Sequence, residues 1–268
     1  MSRTVEADNV LECIVRGDNR REIMCALRGG SMELRELSDS TGIPRTTLRH
    51  SIDQLADHGV VAEIHAGKYR LTRLGGAVLE GIAEYEKRVE TAIDLEPFLR
   101  CVPADELDID VCGVTDPELT VASSQRPYAP SRRLVDGMAD ATRVVGFTPV
   151  LPAVSQRPFE SLVAAEETTL RLVVTTSVAN AIEMEFDLRS ALNEETTIQV
   201  TQRDLSIGGF VIDGTVYLQG FDDNGKPHVV LQTESKAVQR WTTERLDRLR
   251  EAATTLTAAE LGEPNQTP

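Results

Sequence analysis

Residues 31–72 read SMELRELSDSTGIPRTTLRHSIDQLADHGVVAEIHAGKYRLT. Ser31 can cap a first helix through its side-chain oxygen, and Met32, Leu34 and Leu37 supply its apolar contacts. The segment Ser38 to Pro44 then reads as a turn. Gly42 suits the positive φ needed between two helices. Ile43 is placed to plug a core, and Pro44 sits where a helix tolerates proline best, at its first position. In the second helix Leu48, Ile52 and Leu55 recur at i, i+4 and i+7 as a single apolar stripe. The opposite face carries Thr46, His50 and Asp53, flanked by Thr47, Arg49 and Gln54. After Asp57-His58-Gly59, Val60 to Ile64 and Tyr69 to Thr72 read as two strands joined around Ala66-Gly67, with His65 at the tip and Lys68 and Arg70 on the return strand.

A helix, a tight turn, a proline-started helix and a basic hairpin, in that order, form the pattern of a winged helix-turn-helix. Short polar groups and arginine near the start of the second helix reach base edges and phosphates without steric bulk. A basic hairpin tip beside such a helix touches sugar-phosphate or the minor groove. The candidate contacts to double-stranded DNA are Arg45, Thr46, Thr47, Arg49, His50 and Gln54 on the helix, and His65, Lys68 and Arg70 on the hairpin. Two packed helices with a glycine turn can imitate this motif, so a winged helix used for protein contact is the alternative. Charge favours DNA. Between Ile43 and Leu74 five basic residues (Arg45, Arg49, Lys68, Arg70, Arg73) face three acidic ones (Asp53, Asp57, Glu63), a net of +2 inside a chain of net −15.

At 268 residues one large or two modest domains are expected. No apolar run is long enough to span a membrane, and Met1 to Asp8 carries no charged-then-apolar leader. A cytoplasmic protein is expected. Of 28 basic residues only Lys68, Lys87, Lys226 and Lys236 are lysine, against 43 acidic residues. That composition suits hydration in concentrated salt and points to an extreme halophile, archaeal in origin; an ordinary acidic mesophile protein is the alternative. The four cysteines form no Cys-x-x-Cys pair, and no histidine stands at metal spacing. Cys13 and Cys25 read as buried small hydrophobes.

Working outward, residues 6–16 predict a helix with Val10, Leu11, Ile14 and Val15 on its apolar side, and Asn19 is placed to cap a second with Ile23, Met24 and Leu27 inward. Gly75 to Arg100 predicts one long helix whose stripe is Val78, Leu79, Ile82, Tyr85, Val89, Ile93 and Phe98. Such a helix serves dimerisation or connects to a further domain, with packing inside its own domain as the alternative. From about residue 111 strands alternate with helices: strands at 119–122, 143–147, 169–176 and 196–201, and helices at 131–141, 159–167 and from Ser177 to about 192. This predicts a largely parallel run with helical crossovers. It ends in a hairpin on Asp213-Gly214, a third antiparallel strand at 228–232, and a closing helix from Glu234 to Thr257. The expected fold is therefore α/β: a winged helix-turn-helix domain at 1–74, a linker or dimerisation helix at 75–100, an α/β domain with a mixed sheet at 101–258, and a disordered tail at 259–268.

Residues 205–250 carry Ile207-Gly208-Gly209-Phe210-Val211-Ile212-Asp213, then Val216-Tyr217-Leu218 and Phe221-Asp222-Asp223-Asn224-Gly225, and close with a helix containing Trp241. With the winged helix ahead of it, this segment resembles the C-terminal domain of archaeal winged-helix transcriptional regulators of the methanogenesis-regulator type. The resemblance implies a transcription regulator whose C-terminal domain senses a ligand or dimerises, and it names no effector.

No phosphate-binding glycine loop, Gly-x-Ser-x-Gly elbow or His-Glu pair is present, so neither an enzyme nor a bound cofactor is expected. Asp222 and Asp223 read as turn formers beside Asn224-Gly225 rather than metal ligands. A pocket for a small effector is expected beyond the strand ends, where helix N-termini offer free amides. Its candidates are Thr175, Thr176 and Ser177, with Arg126, Tyr128 and Arg132 on the same edge. The alternative is that Ser177 only caps a helix and the arginines form surface ion pairs. The expected partners are double-stranded DNA, a second copy of the chain and a small effector.

Overall fold

The computed structural model describes residues 3–65, 67–150, 168–185 and 195–256. The chain divides into two compact units, residues 1–88 and 89–268. Among the described residues no helix is long and apolar enough to cross a membrane.

The first unit runs α1 (Arg3–Val15), α2 (Asp18–Leu27), β1 (Met32–Glu33), α3 (Leu34–Thr41), α4 (Arg45–Asp57), β2 (Val61–His65), β3 (Lys68–Leu71) and the start of α5 (Arg73–Asp94). Its core gathers Ile14, Ile23, Met24, Leu27, Leu37, Ile43, Leu48, Ile52, Leu55, Val60, Leu79 and Ile82. Ser31 does not cap α3. Glu33 does, through a reciprocal capping box with Glu36, because Met32 and Glu33 are drawn into the wing sheet opposite Tyr69 and Lys68. Asn19 likewise lies inside α2, whose N-cap is Gly17. Cys25 is exposed, contrary to expectation: it falls off the Ile23, Met24 and Leu27 stripe of α2.

The single long helix expected over 75–100 is broken. α5 ends at Asp94, and after Leu95 a short α6 (Glu96–Leu99) begins with Pro97 in its first turn. Leu95 and Phe98 are both 1% exposed and belong to the core of the second unit. Two large side chains gain full burial by turning the chain there, which outweighs the few backbone bonds of a continuous helix.

The second unit continues with β4 (Glu118–Val121), α7 (Ala129–Met138), β5 (Arg143–Thr148), β6 (Thr169–Thr175), α8 (Thr176–Glu185), β7 (Thr196–Thr201), β8 (Ile207–Ile212), β9 (Thr215–Phe221), β10 (Pro227–Thr233), α9 (Lys236–Glu251) and β11 (Thr254–Thr255). The helix expected at 159–167 and the later part of the helix expected after Ser177 lie outside the described residues, as does the tail. One eight-stranded sheet has the order β11-β7-β6-β5-β8-β9-β10-β4. Only β5, β6 and β7 run parallel. β4, expected to start the parallel run, instead closes the far edge antiparallel to β10. The closing helix is also shorter than expected, because β11 leaves it to pair with β7.

Strand alternation builds two cores, one on each face. Val216 and Leu218 of β9 pack with Trp241, Leu246 and Phe147 on the face of α9. Tyr217 packs with Leu134 of α7 and Ile182 of α8 on the other. The Asp213-Gly214 hairpin forms as expected, with φ of 45° and 92° at its two residues. The Asp213 carboxylate accepts bonds from Thr142 Oγ1 (2.9 Å) and from the amides of Thr142 (3.1 Å) and Arg143 (2.9 Å). Partial burial pushes this carboxyl up, but those three bonds hold it below the usual range. Asp213 thereby ties the β8–β9 turn to the start of β5. Asp222 accepts the amides of Asn224 and Lys226 (2.9 Å each), the geometry of a turn former.

Candidate nucleic-acid interface

Leu48, Ile52 and Leu55 are fully buried and fix the rotation of α4. Its opposite face is thereby turned to solvent. The turn before it is closed locally: Gly42 adopts φ 69° and its amide bonds the Ser38 carbonyl. Ser38 Oγ donates to the Ile43 carbonyl (2.8 Å), and Ile43 N donates to Thr41 Oγ1 (3.3 Å). Ile43 is 5% exposed and plugs the core as expected. Pro44 stands one position earlier than expected, as the N-cap residue with ψ 140°.

Arg45, Thr46, Arg49 and His50 are exposed on α4, and Thr47 is half-buried beside them. Gln54 differs: it is half-buried, and its Oε1 is sealed from solvent without a hydrogen-bond partner among the described residues. In the wing Gly67 takes φ 78° at the turn, and its amide donates to Glu63 Oε1 (2.6 Å). That bond narrows the tip between His65 and Lys68. His65 and Arg70 are exposed and Lys68 is half-buried.

Among the described residues none of Arg45, Arg49, Lys68 and Arg70 pairs with a carboxylate, whereas Arg16, Arg21, Arg133 and Arg245 all do. Unpaired guanidinium and ammonium groups on a helix face and its adjoining wing can bond phosphate oxygens without first breaking an internal ion pair. Short side chains at Thr46 and Thr47 leave room for close approach to base edges. Periodicity could not find the third wing strand, β1, because two residues show no period. Its only signal is Met32 opposite Tyr69 across the sheet.

The candidate effector residues fall in two groups at the same end of the second unit's sheet. Thr175 ends β6, and Thr176 and Ser177 open α8 with both side chains exposed. Thr175 Oγ1 and Ser177 Oγ share a hydrogen bond (3.0 Å), and Gln202 Nε2 donates to Thr176 Oγ1 (3.4 Å). Arg126, Tyr128 and Arg132 are exposed around the start of α7, and the neighbouring Arg133 pairs with Glu118 (2.8 Å). Because α7 packs on β10 and β4, the two groups are four to five strand spacings from one another, about 19–24 Å. The structure does not bring them around one small molecule. Among the described residues no group of three or more His, Cys, Asp or Glu could hold a metal ion.

Two family models match the chain. Residues 8–94 match the HVO_A0261 N-terminal domain, and residues 127–252 match the middle domain of the methanogenesis regulatory protein FilR1. No curated protein matches. Among solved structures, TrmBL2, an archaeal chromatin protein with a novel mode of DNA binding, is 12% identical with a TM-score of 0.43, over 87% of this chain and 92% of its own. Nuc, a phospholipase D family member from Salmonella typhimurium, is 12% identical with a TM-score of 0.39, over 53% of this chain and 99% of its own. HmgR from Pseudomonas aeruginosa is 17% identical with a TM-score of 0.24, over 92% and 98% of the two chains. These scores are too low to carry an argument, so the assignment rests on the family models and on the winged helix itself. Residues 8–94 thus match an HVO_A0261-type N-terminal domain and residues 127–252 a FilR1-type middle domain, a pairing that supports an archaeal transcriptional regulator.

Proposed function

We propose that this regulator is a cytoplasmic homodimer that reads a specific DNA sequence. The observation that carries the reading is the solvent face of α4, where Arg45, Thr46, Arg49 and His50 stand exposed beside the wing cations Lys68 and Arg70. In this reading α4 enters the major groove, Arg49 and His50 meet base edges, and the wing holds the flanking backbone. A second copy reads the second half-site. The C-terminal unit is regulatory, with a small hydroxylated or anionic effector held at the end of β6 by Thr175, Thr176, Ser177 and the amides at the start of α8.

The two kinds of contact separate by substitution. Arg49→Ala is expected to lower the preference for a selected operator over random duplex by about 5- to 150-fold, the equivalent of roughly 1–3 kcal/mol. Lys68→Ala is expected to weaken both duplexes alike and to reduce the salt slope by about one. Fluorescence anisotropy over a potassium chloride series measures both. An Arg49→Ala protein with unchanged operator preference would remove the base-reading role from that residue.

A further inference from the structure

Most of the large apolar side chains that the first unit leaves exposed lie along one groove. The groove, of about 1200 Å³, runs between α1 and α5 and is also lined by Asp57 and His58 at the C-terminal end of α4. Leu11 and Val15 of α1 line one wall, and Leu74, Val78, Gly81 and Tyr85 of α5 line the other. Val15 is 67% exposed and Tyr85 68%. The α5 wall continues along the same helix through Val89 and Ile93, which is 66% exposed.

We propose that this groove is the dimer contact, and that its occupant is the same α1–α5 surface of a second copy. The proposal rests on the homodimer reading and names the surface that reading leaves open. Three observations favour a second copy. First, the stripe follows the full 22 residues of α5, about 33 Å of helix, a length suited to pairing with another helix rather than enclosing a small molecule. Second, Gly81 stands inside α5, where glycine costs about 1 kcal/mol relative to alanine, and a Cβ there would meet nothing within 4 Å. Among the described residues nothing requires the missing side chain, whereas a helix crossing closely at that point would. Third, the exposed parts of Leu11, Val15, Leu74, Tyr85, Val89 and Ile93 amount to on the order of 600 Å² per copy. A symmetric pair removes on the order of 1,200 Å², the lower end of a stable specific interface. Because Asp57 and His58 stand at the end of α4 and also line the groove, a second copy seated there bears directly on the recognition helix. Forming the dimer and holding α4 for DNA are then one event.

The test is the mass of the full chain by sedimentation velocity in molar potassium chloride, for wild type and for Val15→Glu/Tyr85→Glu. Both side chains are mostly solvent-exposed, so the double variant is expected to keep the wild-type circular dichroism spectrum. The wild type is expected to sediment as twice the 29.4 kDa chain mass and the double variant as one chain. Tyr128→Glu, an exposed aromatic on the other unit, serves as the control and is expected to stay dimeric. A monomeric wild type would overturn the proposal, as would a double variant that remains dimeric, since the second copy would then bind through another surface. The readout uses no DNA. A chain that dimerises here yet lacks sequence preference refutes the DNA reading alone, and a monomer that prefers one half-site refutes the groove alone.

Discussion

Gly75→Ala is expected to unfold the DNA-binding unit. Gly75 lies in the first turn of α5, and a Cβ there would sit 2.0 Å from the Val60 carbonyl oxygen, 2.9 Å from its carbon and 3.2 Å from Leu71 Cγ. The first two are backbone atoms at the turn between α4 and β2 and cannot rotate away. The same carbonyl accepts the Thr72 amide (3.0 Å), and Thr72 Oγ1 accepts the Gly75 amide (3.0 Å). Moving α5 back by the required ångström or more breaks this lock and lifts Leu79 and Ile82 from the core. The cost is about 3 kcal/mol or more, a large part of the stability of a small domain. Gly76→Ala is the control: its Cβ would meet only Leu71 Cδ2 at 3.9 Å, ordinary contact. Hydrogen exchange by mass spectrometry on the full chain reads the two units separately. Gly75→Ala should lose amide protection across residues 14–82 and keep it across 196–249, and Gly76→Ala should keep both. Wild-type protection in Gly75→Ala would show that α5 does not press on Val60.

Gln219→Met is expected to act in the opposite direction, raising stability. Gln219 is 0% exposed in the middle of β9, and among the described residues neither its Nε2 nor its Oε1 has a hydrogen-bond partner. Its side chain lies over Gly208 of β8, where a Cβ would come within 3.0 Å of Oε1. A buried amide with no partner costs about 1–3 kcal/mol. Methionine keeps the length and flexibility of the chain and removes both polar atoms. A gain of that size raises the melting temperature of a unit of this length by roughly 2–4 °C per kcal/mol. Differential scanning calorimetry checks it. A lower melting temperature in Gln219→Met would mean that the amide holds a bound partner, water or ligand, in solution.

The parts of the fold that could be read from sequence are those settled within a few residues. Gly42, Ile43 and Pro44 announce the turn because backbone conformation is a local property, and Leu48, Ile52 and Leu55 fix α4 because a buried stripe repeats at helical spacing. The Asp213-Gly214 hairpin is legible for the same reason. The partner of β4 was not, since strand order depends on pairing more than a hundred residues away. The break at Leu95 was missed because Leu95 and Phe98 continue the apolar spacing of α5 while belonging to a different core. The same ambiguity hid the groove. Tyr85, Val89 and Ile93 share their spacing with the buried Leu79 and Ile82, and periodicity shows that a stripe is apolar without showing what covers it. At the DNA interface residue type was legible and orientation was not: Gln54 differs from Arg49 and His50 only in which way the helix turns it.

If the α4 face reads sequence, the protein must pick out one DNA motif from a random pool. The most direct measurement is in vitro selection of random DNA duplexes by the full-length protein in molar potassium chloride, where phosphate attraction is largely screened. Enrichment of one motif, built as two inverted half-sites a helical turn apart or a multiple of it, is expected. Failure to enrich any motif, with the protein folded by circular dichroism and retained on the selection matrix, would contradict sequence-specific recognition and leave the winged helix as a surface for protein contact.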